Sequence, residues 1–468
     1  MNKTVEMPLW ALILLVAFAA VTFASHFLFP SVRWFFRRRM ERVVARLNEK
    51  LERPIQPFKL ARRHDMIQRL IYDPEVSRAI AEHAHAEGVP ENVAFEQAQR
   101  YAREIVPGFS ASAYFGFAIR AARILSRALY RVRLGHFDEE ALSQVDPDAT
   151  VIFVMNHRSN MDYVLVSFLA AEKTTLSYAV GEWARIWPLQ SLIRAMGAFF
   201  VRRNSGNELY RKVLERYVNM STRAGVCQAV FLEGGLSKDG ALREPRLGFL
   251  DYMLRDYHPR SDRDIVFIPV GINYDRVIED RSLLRNLERK ADRRSLWFVI
   301  KTSVSFIFKN ALLSRKNRWR RFGYASVNFG EPVSARQYCE QHEIDFSALD
   351  RDQRFDKVGE LATELMQHIS NVVPVLPVSL ISEVVLKNAE TWRSELELKS
   401  QCIERIHELE QEGAPIDISS SALESVLGSA LSILIGRGLV EEQDNLYRMK
   451  PDERDIIAYY ANAIAHWK

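Results

Sequence analysis

The sequence predicts an α/β fold: a mostly parallel, mixed sheet flanked by helices, with a transmembrane helix at the N-terminus and helical N- and C-terminal regions. Three observations carry this expectation. From Ala149 onward, short apolar runs rich in β-branched residues alternate with stretches of helical spacing, the pattern of strands joined by crossover helices. Leu9 to Phe29 is a run of about 21 residues without a formal charge, close to the ~20 that cross a bilayer as a helix. Residues 54–145 and 387–468 place apolar side chains at helical spacing.

Composition removes several other classes. With 48% hydrophobic and 26% charged residues, the 468-residue chain can bury a large core, so it is neither disordered nor fibrous. A mean hydropathy of −0.16, with charges in almost every segment, argues against a polytopic transporter. Cys227, Cys339 and Cys402 are scattered and form no CxxC pair, which argues against a disulfide framework and a cysteine zinc site. The excess of 64 basic over 59 acidic residues is modest, so its placement matters more than its size.

Placement is informative at once. The apolar run is followed by Arg33, Arg37, Arg38, Arg39, Arg42 and Arg46, with Trp34, Phe35 and Phe36 among them. Basic residues stay on the cytoplasmic side of a span, so the rest of the chain is expected in the cytoplasm, anchored to the inner (cell) membrane. The flank itself suits an anionic lipid surface. Residues 1–30 then form the anchor, 31–145 a basic, membrane-proximal helical region, 146–370 the α/β domain and 371–468 a helical C-terminal domain. The expected strands are ATVIFVMN from Ala149, 176–180, 198–203, 227–235, 264–274 and 325–332. Pro269 marks the fifth of these as an edge strand or a bulge. The apolar 372–386 stretch, interrupted by Pro374 and Pro377, reads as a buried segment leading into a helix. Helices and a small hairpin close the chain. Their layout is only loosely winged-helix, and their acidic residues argue against nucleic acid as a partner.

Four stretches carry chemistry. Asn156-His157-Arg158-Ser159-Asn160-Met161-Asp162 directly follows the first strand, where α/β folds place reacting groups. Ser159 or Asn160 can cap the next helix, and a turn lets Asp162 reach back to His157. A histidine oriented by a carboxylate is a competent general base; a capped helix with a structural histidine is the plainer alternative. MGAFFVRR ends in Arg202 and Arg203, which suit an anion. In FLEGGLSKDG, Gly234-Gly235 permit a positive-φ turn, Glu233 and Ser237 can hydrogen-bond, and Lys238 can meet a phosphate. The fourth stretch is IVFIPVGINY, around Pro269.

In order and spacing this set resembles the glycerolipid acyltransferase family, most closely its bacterial membrane-bound glycerol-3-phosphate branch. His157 and Asp162 match the family's His-x4-Asp block, within an HRSxMDY context. Gly197 through Arg203 match the second block. Phe231, Glu233, Gly234 and Ser237 match the third, and Pro269 marks the fourth. YYANAIAHW (459–467) is similar to the branch's closing segment. One departure stands out: Leu236 occupies the place of an arginine associated in the family with the acceptor's phosphate.

The resemblance implies acyl transfer from acyl-CoA or acyl-carrier protein to the 1-hydroxyl of glycerol 3-phosphate, with no metal or redox cofactor. His157 is then the general base and Asp162 its orienting acid. Arg202, Arg203, Ser237 and Lys238, with Arg243 in reserve, are the phosphate candidates. Glu233 orders the turn, and Phe199, Phe200 and the 265–272 strand border a groove for the acyl chain. The rivals are lysophosphatidate as acceptor and a non-catalytic, membrane-anchored lipid or acyl-carrier binding protein.

Overall fold

The computed structural model describes residues 8–135, 139–171, 174–181, 189–202, 205–288, 322–416, 418 and 422–467, excluding the side chains at 23–37, 40, 41, 139, 189, 192 and 286–288. The chain divides into two units, Met1–Ile55 and Gln56–Lys468. The first is one helix, Leu9–Asn48, entered through Pro8 and closed when the Glu49 amide bonds back to the Ala45 and Leu47 carbonyls. The apolar run and its basic flank therefore belong to a single element. Among the described residues no single helix is long and apolar enough to cross a membrane; the described apolar part of this one is Leu9–Thr22.

The second unit is built on one large sheet. Its strands are β1 (Arg131–Leu134), β2 (Thr150–Met155), β3 (Ser177–Gly181), β4 (Phe199–Val201), β5 (Gln228–Phe231), β6 (Ile265–Tyr274), β7 (Tyr324–Phe329) and β8 (Val333–Ser334). Their order is β1-β7-β6-β2-β5-β3-β4, with β8 also against β6. β6, β2, β5, β3 and β4 run parallel; β7 and β8 are antiparallel to β6, and β1 is parallel to β7. The sheet is mostly parallel and mixed, as the alternation of apolar runs and helices predicts.

Side chains along β2 alternate between two cores, as the period of two requires. Val151, Phe153 and Met155 join one core with the helices Met161–Ala170, Pro377–Lys387 and Arg454–Ala461. Ile152 and Val154 join the other, with Glu91–Ile105, Glu208–Arg223 and Arg351–Val372. Being covered on both faces is why the central strands read as unbroken apolar runs. The 372–386 stretch behaves as expected: Val373, Val375 and Leu376 are buried and lead into the helix Pro377–Lys387.

One expectation is extended and one is corrected. Residues 54–145 are mainly helical, as their spacing predicts, and also form the edge strand β1 at Arg131–Leu134. Its partner β7 lies far along the chain, so no local turn announces it. Pro269 is not on an edge, since β6 sits between β2 on one side and β7 and β8 on the other. The proline is tolerated because β8 pairs at Val266 and Phe267 while β7 begins at Val270, so its missing N–H falls where the partner strands change over. Its carbonyl still accepts from the Gly330 amide, at 2.8 Å.

The C-terminal residues form a small sheet of β9 (Arg393–Ser394), β10 (Val440–Gln443) and β11 (Leu446–Met449). Asp444 and Asn445, both at positive φ, make the two-residue turn between β10 and β11. The helix Arg454–Ala461 then returns to the large sheet, burying Tyr459 and Tyr460 in the core that holds the inner face of β2.

Candidate functional site

The site lies at the carboxyl edge of β2, β5 and β6. Asn156 follows β2 and locks the loop to its neighbour: its side-chain amide donates to the Ile272 carbonyl at 2.9 Å and accepts from the Ile272 amide at 2.8 Å. His157 comes next, and the helix Met161–Ala170 begins four residues later. Ser159 does the capping there, its hydroxyl accepting from the Met161 amide at 3.1 Å, while Asn160 makes no side-chain cap. Asp162, in the first turn, reaches back to His157 Nδ1 at 2.9 Å.

Four donors converge on that carboxylate. Its Oδ2 accepts from His157 Nδ1, from the Arg158 amide at 2.7 Å and from the Ser159 amide at 3.0 Å; its Oδ1 accepts from the Tyr274 hydroxyl at 2.7 Å. A carboxylate only accepts, so Nδ1 carries the proton of the contact, and the neutral tautomer this selects has its lone pair on Nε2. The imidazole is fixed in other ways too. It stacks on Phe231 with centroids 3.9 Å apart, and Tyr163 meets it edge-on at 5.5 Å. Its backbone amide donates to Glu233 Oε1 at 3.2 Å, and its carbonyl accepts from the Ser237 amide at 2.9 Å.

The third motif thus serves first as scaffold. Of the two glycines only Gly234 takes a positive φ, of 67°. The Ser237 hydroxyl is committed within its turn, donating to the Ala241 carbonyl at 2.7 Å and accepting from the Gly240 amide at 3.0 Å. Burial pushes the Glu233 carboxyl up to about 8, and its Oε2 has no hydrogen-bond partner among the described residues. Lys238 is exposed on the same loop. Leu236 is half-buried against the core, and Arg243 donates to its carbonyl at 3.4 Å, which brings a guanidinium to the position of the departure.

The second motif lies on the same edge but further along the sheet. Three strand spacings separate β2 from β4, about 14 Å. Arg202 there forms a two-point ion pair with Glu104, at 2.6 and 2.8 Å, and lies over the rings of Tyr101 and Tyr210. Arg203 lies outside the described residues. The expected acyl groove is corrected: Phe199 and Phe200 enter opposite cores, and β6 is buried along its whole length, so these side chains are packing.

Several supporting residues have no local signal. Tyr274 is one. Glu279 is another, accepting from the Ser159 hydroxyl at 2.8 Å and the Asn160 side chain at 3.0 Å. Its neighbour Asp280 accepts from the Tyr460 hydroxyl at 2.6 Å and pairs with Arg437. Arg158 donates to the Gly240 carbonyl and to Asn273 Oδ1, beneath the Tyr459 ring. Asn462 donates to the Asp239 carbonyl at 2.9 Å. The closing YYAN segment therefore braces both loops at this edge of the sheet. Only its likeness to the branch's closing motif hinted at this.

Comparison with known proteins gives two family matches. Residues 136–273 match the acyltransferase family, and residues 308–467 match the glycerol-3-phosphate acyltransferase C-terminal region. A glycerol-3-phosphate acyltransferase of Pseudomonas aeruginosa is 28% identical over 425 residues, covering 87% of this chain and 49% of the relative. One from Pseudomonas putida is 30% identical over 361 residues, covering 75% of this chain and 41% of the relative. The chain spans about half the length of the curated relatives it matches. Among solved structures, the 1-acyl-sn-glycerophosphate (LPA) acyltransferase PlsC from Thermotoga maritima is 17% identical, covers 54% of this chain and 77% of its own, and has a TM-score of 0.28, too low to carry an argument. This chain carries an acyltransferase region followed by a glycerol-3-phosphate acyltransferase C-terminal region, and its similarity is to the glycerol-3-phosphate branch of the glycerolipid acyltransferases.

Proposed function

We propose that this protein transfers a fatty acyl group from a thioester, acyl-CoA or acyl-carrier protein, to the sn-1 hydroxyl of glycerol 3-phosphate, giving lysophosphatidate. The observation that carries the proposal is the buried His157–Asp162 pair: with Nδ1 bound at 2.9 Å, Nε2 is the nitrogen left to take a proton. His157 Nε2 accepts the proton of the acceptor hydroxyl as its oxygen bonds to the thioester carbonyl carbon. Asp162 stabilises the imidazolium that forms. When the tetrahedral adduct collapses, the carbon–sulfur bond breaks and the imidazolium returns the proton to the leaving thiolate. The substrate alcohol is the nucleophile, so no acyl-enzyme forms.

Lys238 and Arg243 meet the phosphate first; the support is that Lys238 is exposed on the loop and Arg243 reaches the Leu236 carbonyl. Ser237 and Gly234 shape that loop, and Glu233 holds the His157 backbone. Arg202 forms the outer part of the anion site and engages only when it leaves Glu104; Arg203 is proposed as a phosphate ligand on its sequence motif alone. Pro269 contributes through β6, whose neighbouring residues anchor Asn156. We propose residues 146–370 as the catalytic domain, 371–468 as its brace and 31–145 as its membrane-proximal part. Residues 1–30 are proposed as a transmembrane anchor in the inner membrane, with the site on the cytoplasmic side. The support is a row of exposed apolar side chains from Leu9 to Val21 and an uncharged sequence that continues to Phe29.

One observation keeps a second acceptor, lysophosphatidate, in play: Leu236 stands where the family carries an arginine associated with the acceptor's phosphate, which weakens the preference for glycerol 3-phosphate unless Arg243 substitutes for it. Membranes containing the protein, given palmitoyl-CoA and either labelled glycerol 3-phosphate or lysophosphatidate, decide between them. Label passing from glycerol 3-phosphate into lysophosphatidate is the expected result. Transfer to added lysophosphatidate alone overturns it.

A further inference from the structure

From Ile105 to Phe137 the sequence holds five arginines and no acidic residue. This segment folds as a π-helix, Ser112–Ala118, running directly into the helix Ile119–Leu129 and then the edge strand β1. One stripe of it is buried, through Tyr114, Ala118, Ile119, Ala122, Ser126 and Leu129. The opposite stripe carries Phe117, Arg120, Ile124 and Arg127, at spacings that share one helical face. Phe117 is 60% exposed and Ile124 70%, with Arg120 and Arg127 exposed beside them. Leu134, 48% exposed, continues the apolar surface at the end of β1.

The positive charge is held in place around these side chains. The guanidinium groups of Arg123 and Arg127 lie over the Phe168 ring at 5.4 and 5.5 Å, and those of Arg131 and Arg133 over Tyr324 at 5.7 and 4.0 Å. Arginines on an edge strand also deter edge-to-edge pairing, which accounts for Arg131 and Arg133. It does not account for a phenylalanine and an isoleucine set in solvent beside Arg120 and Arg127 on one face. Large apolar side chains alternating with arginines on one face, with no acid in the run, match a surface that offers hydrocarbon and negative charge together.

We infer that the outward face of Phe117–Leu134 docks on an anionic phospholipid bilayer, with Phe117 and Ile124 inserted among the acyl chains and Arg120 and Arg127 at the headgroups. The helix Ile119–Leu129 packs on Met161–Ala170, whose first turn holds Asp162. Docking here would set the catalytic edge close to the leaflet. The inference rests on charge and exposure in the folded body, so it stands or falls separately from the acceptor and from the N-terminal helix.

The test uses the full chain reconstituted in vesicles. The three native cysteines are buried, so Ile124→Cys, or Leu396→Cys as a control at a 77% exposed position, can be labelled with an environment-sensitive dye. In vesicles of phosphatidylcholine and phosphatidylglycerol, brominated lipid should quench the dye at position 124 several-fold more than at 396. Arg120→Glu with Arg127→Glu should remove most of that difference, and the lysine pair should retain it, with an unchanged thermal transition in each case. Equal quenching at 124 and 396 overturns the inference. So does undiminished quenching in pure phosphatidylcholine, or a blue shift without lipid that grows with protein concentration, which would give the face to a second copy.

Discussion

Two loops leave the same edge of the sheet and are treated in opposite ways. After β2, the loop from Asn156 to Asp162 is buried and tied to β5, β6, the Glu279 turn and, through Arg158, the C-terminal helix. After β4, Arg202 remains partly exposed and answers to Glu104 on a neighbouring helix. Both motifs are charged residues at the end of an apolar strand. The first is a constellation whose members orient one another. The second is a charge whose duty is decided by the helix that happens to cover it. A strand-end charge therefore indicates chemistry only when its partners converge on it from several elements.

The comparison can be broken most forcefully at His157. His157→Ala should cut acyl transfer by roughly 10²–10⁴, the usual worth of a general base, in a protein that still folds with a lowered thermal transition, since a buried ring stacked on Phe231 and paired with Asp162 is lost. Steady-state assays beside a melting curve check this. Gly240 is the next target. It has φ +86°, and a Cβ there would overlap the Tyr459 carbonyl. Gly240→Ala should destabilise the protein by about 1–3 kcal/mol, as overpacking does, and lower activity by loosening the loop that supports His157. A variant with wild-type melting and activity would show that the YYAN segment does not brace the site.

Glu233 gives a pH signature. It ionises near 4.5 when unfolded and near 8 when folded, so between those values the folded state binds more protons. Stability should therefore fall as pH rises through about 4.5–8, by up to about 1.4 kcal/mol per unit. Glu233→Gln should flatten that slope in denaturation series. The smallest effect is expected at Arg202. Arg202→Ala should cost about 1 kcal/mol of stability and raise the KM for glycerol 3-phosphate less than Lys238→Ala does. The reverse order of KM effects would return the strand-end arginine to the phosphate site.

The same contrast explains what the sequence disclosed. β2, β3, β5 and β6 are covered on both faces, and their apolar runs announce them. β1 is a four-residue edge strand whose alternation of arginine with Val132 and Leu134 merges into the helix before it. His157 and Asp162 are five residues apart, so a turn suffices to join them. Tyr274 and Glu279 reach the same loop from 112 and 119 residues further along, and only the register of β6 beside β2 brings them there. Pro269 misled because a proline's tolerance depends on where partner strands change over, which is a property of the sheet. Arg202 reads in the sequence as an anion ligand with no hint of a carboxylate beside it, because Glu104, which pairs with it, lies 98 residues earlier.

The central claim is that His157 and Asp162 act as one device. The direct measurement is kcat/KM for acyl transfer in wild type, His157→Ala, Asp162→Asn and the double variant. If Asp162 works only through the imidazole, the double variant should be no slower than His157→Ala alone. If the two losses multiply instead, the residues act independently, and the pair is not the base that this account makes it.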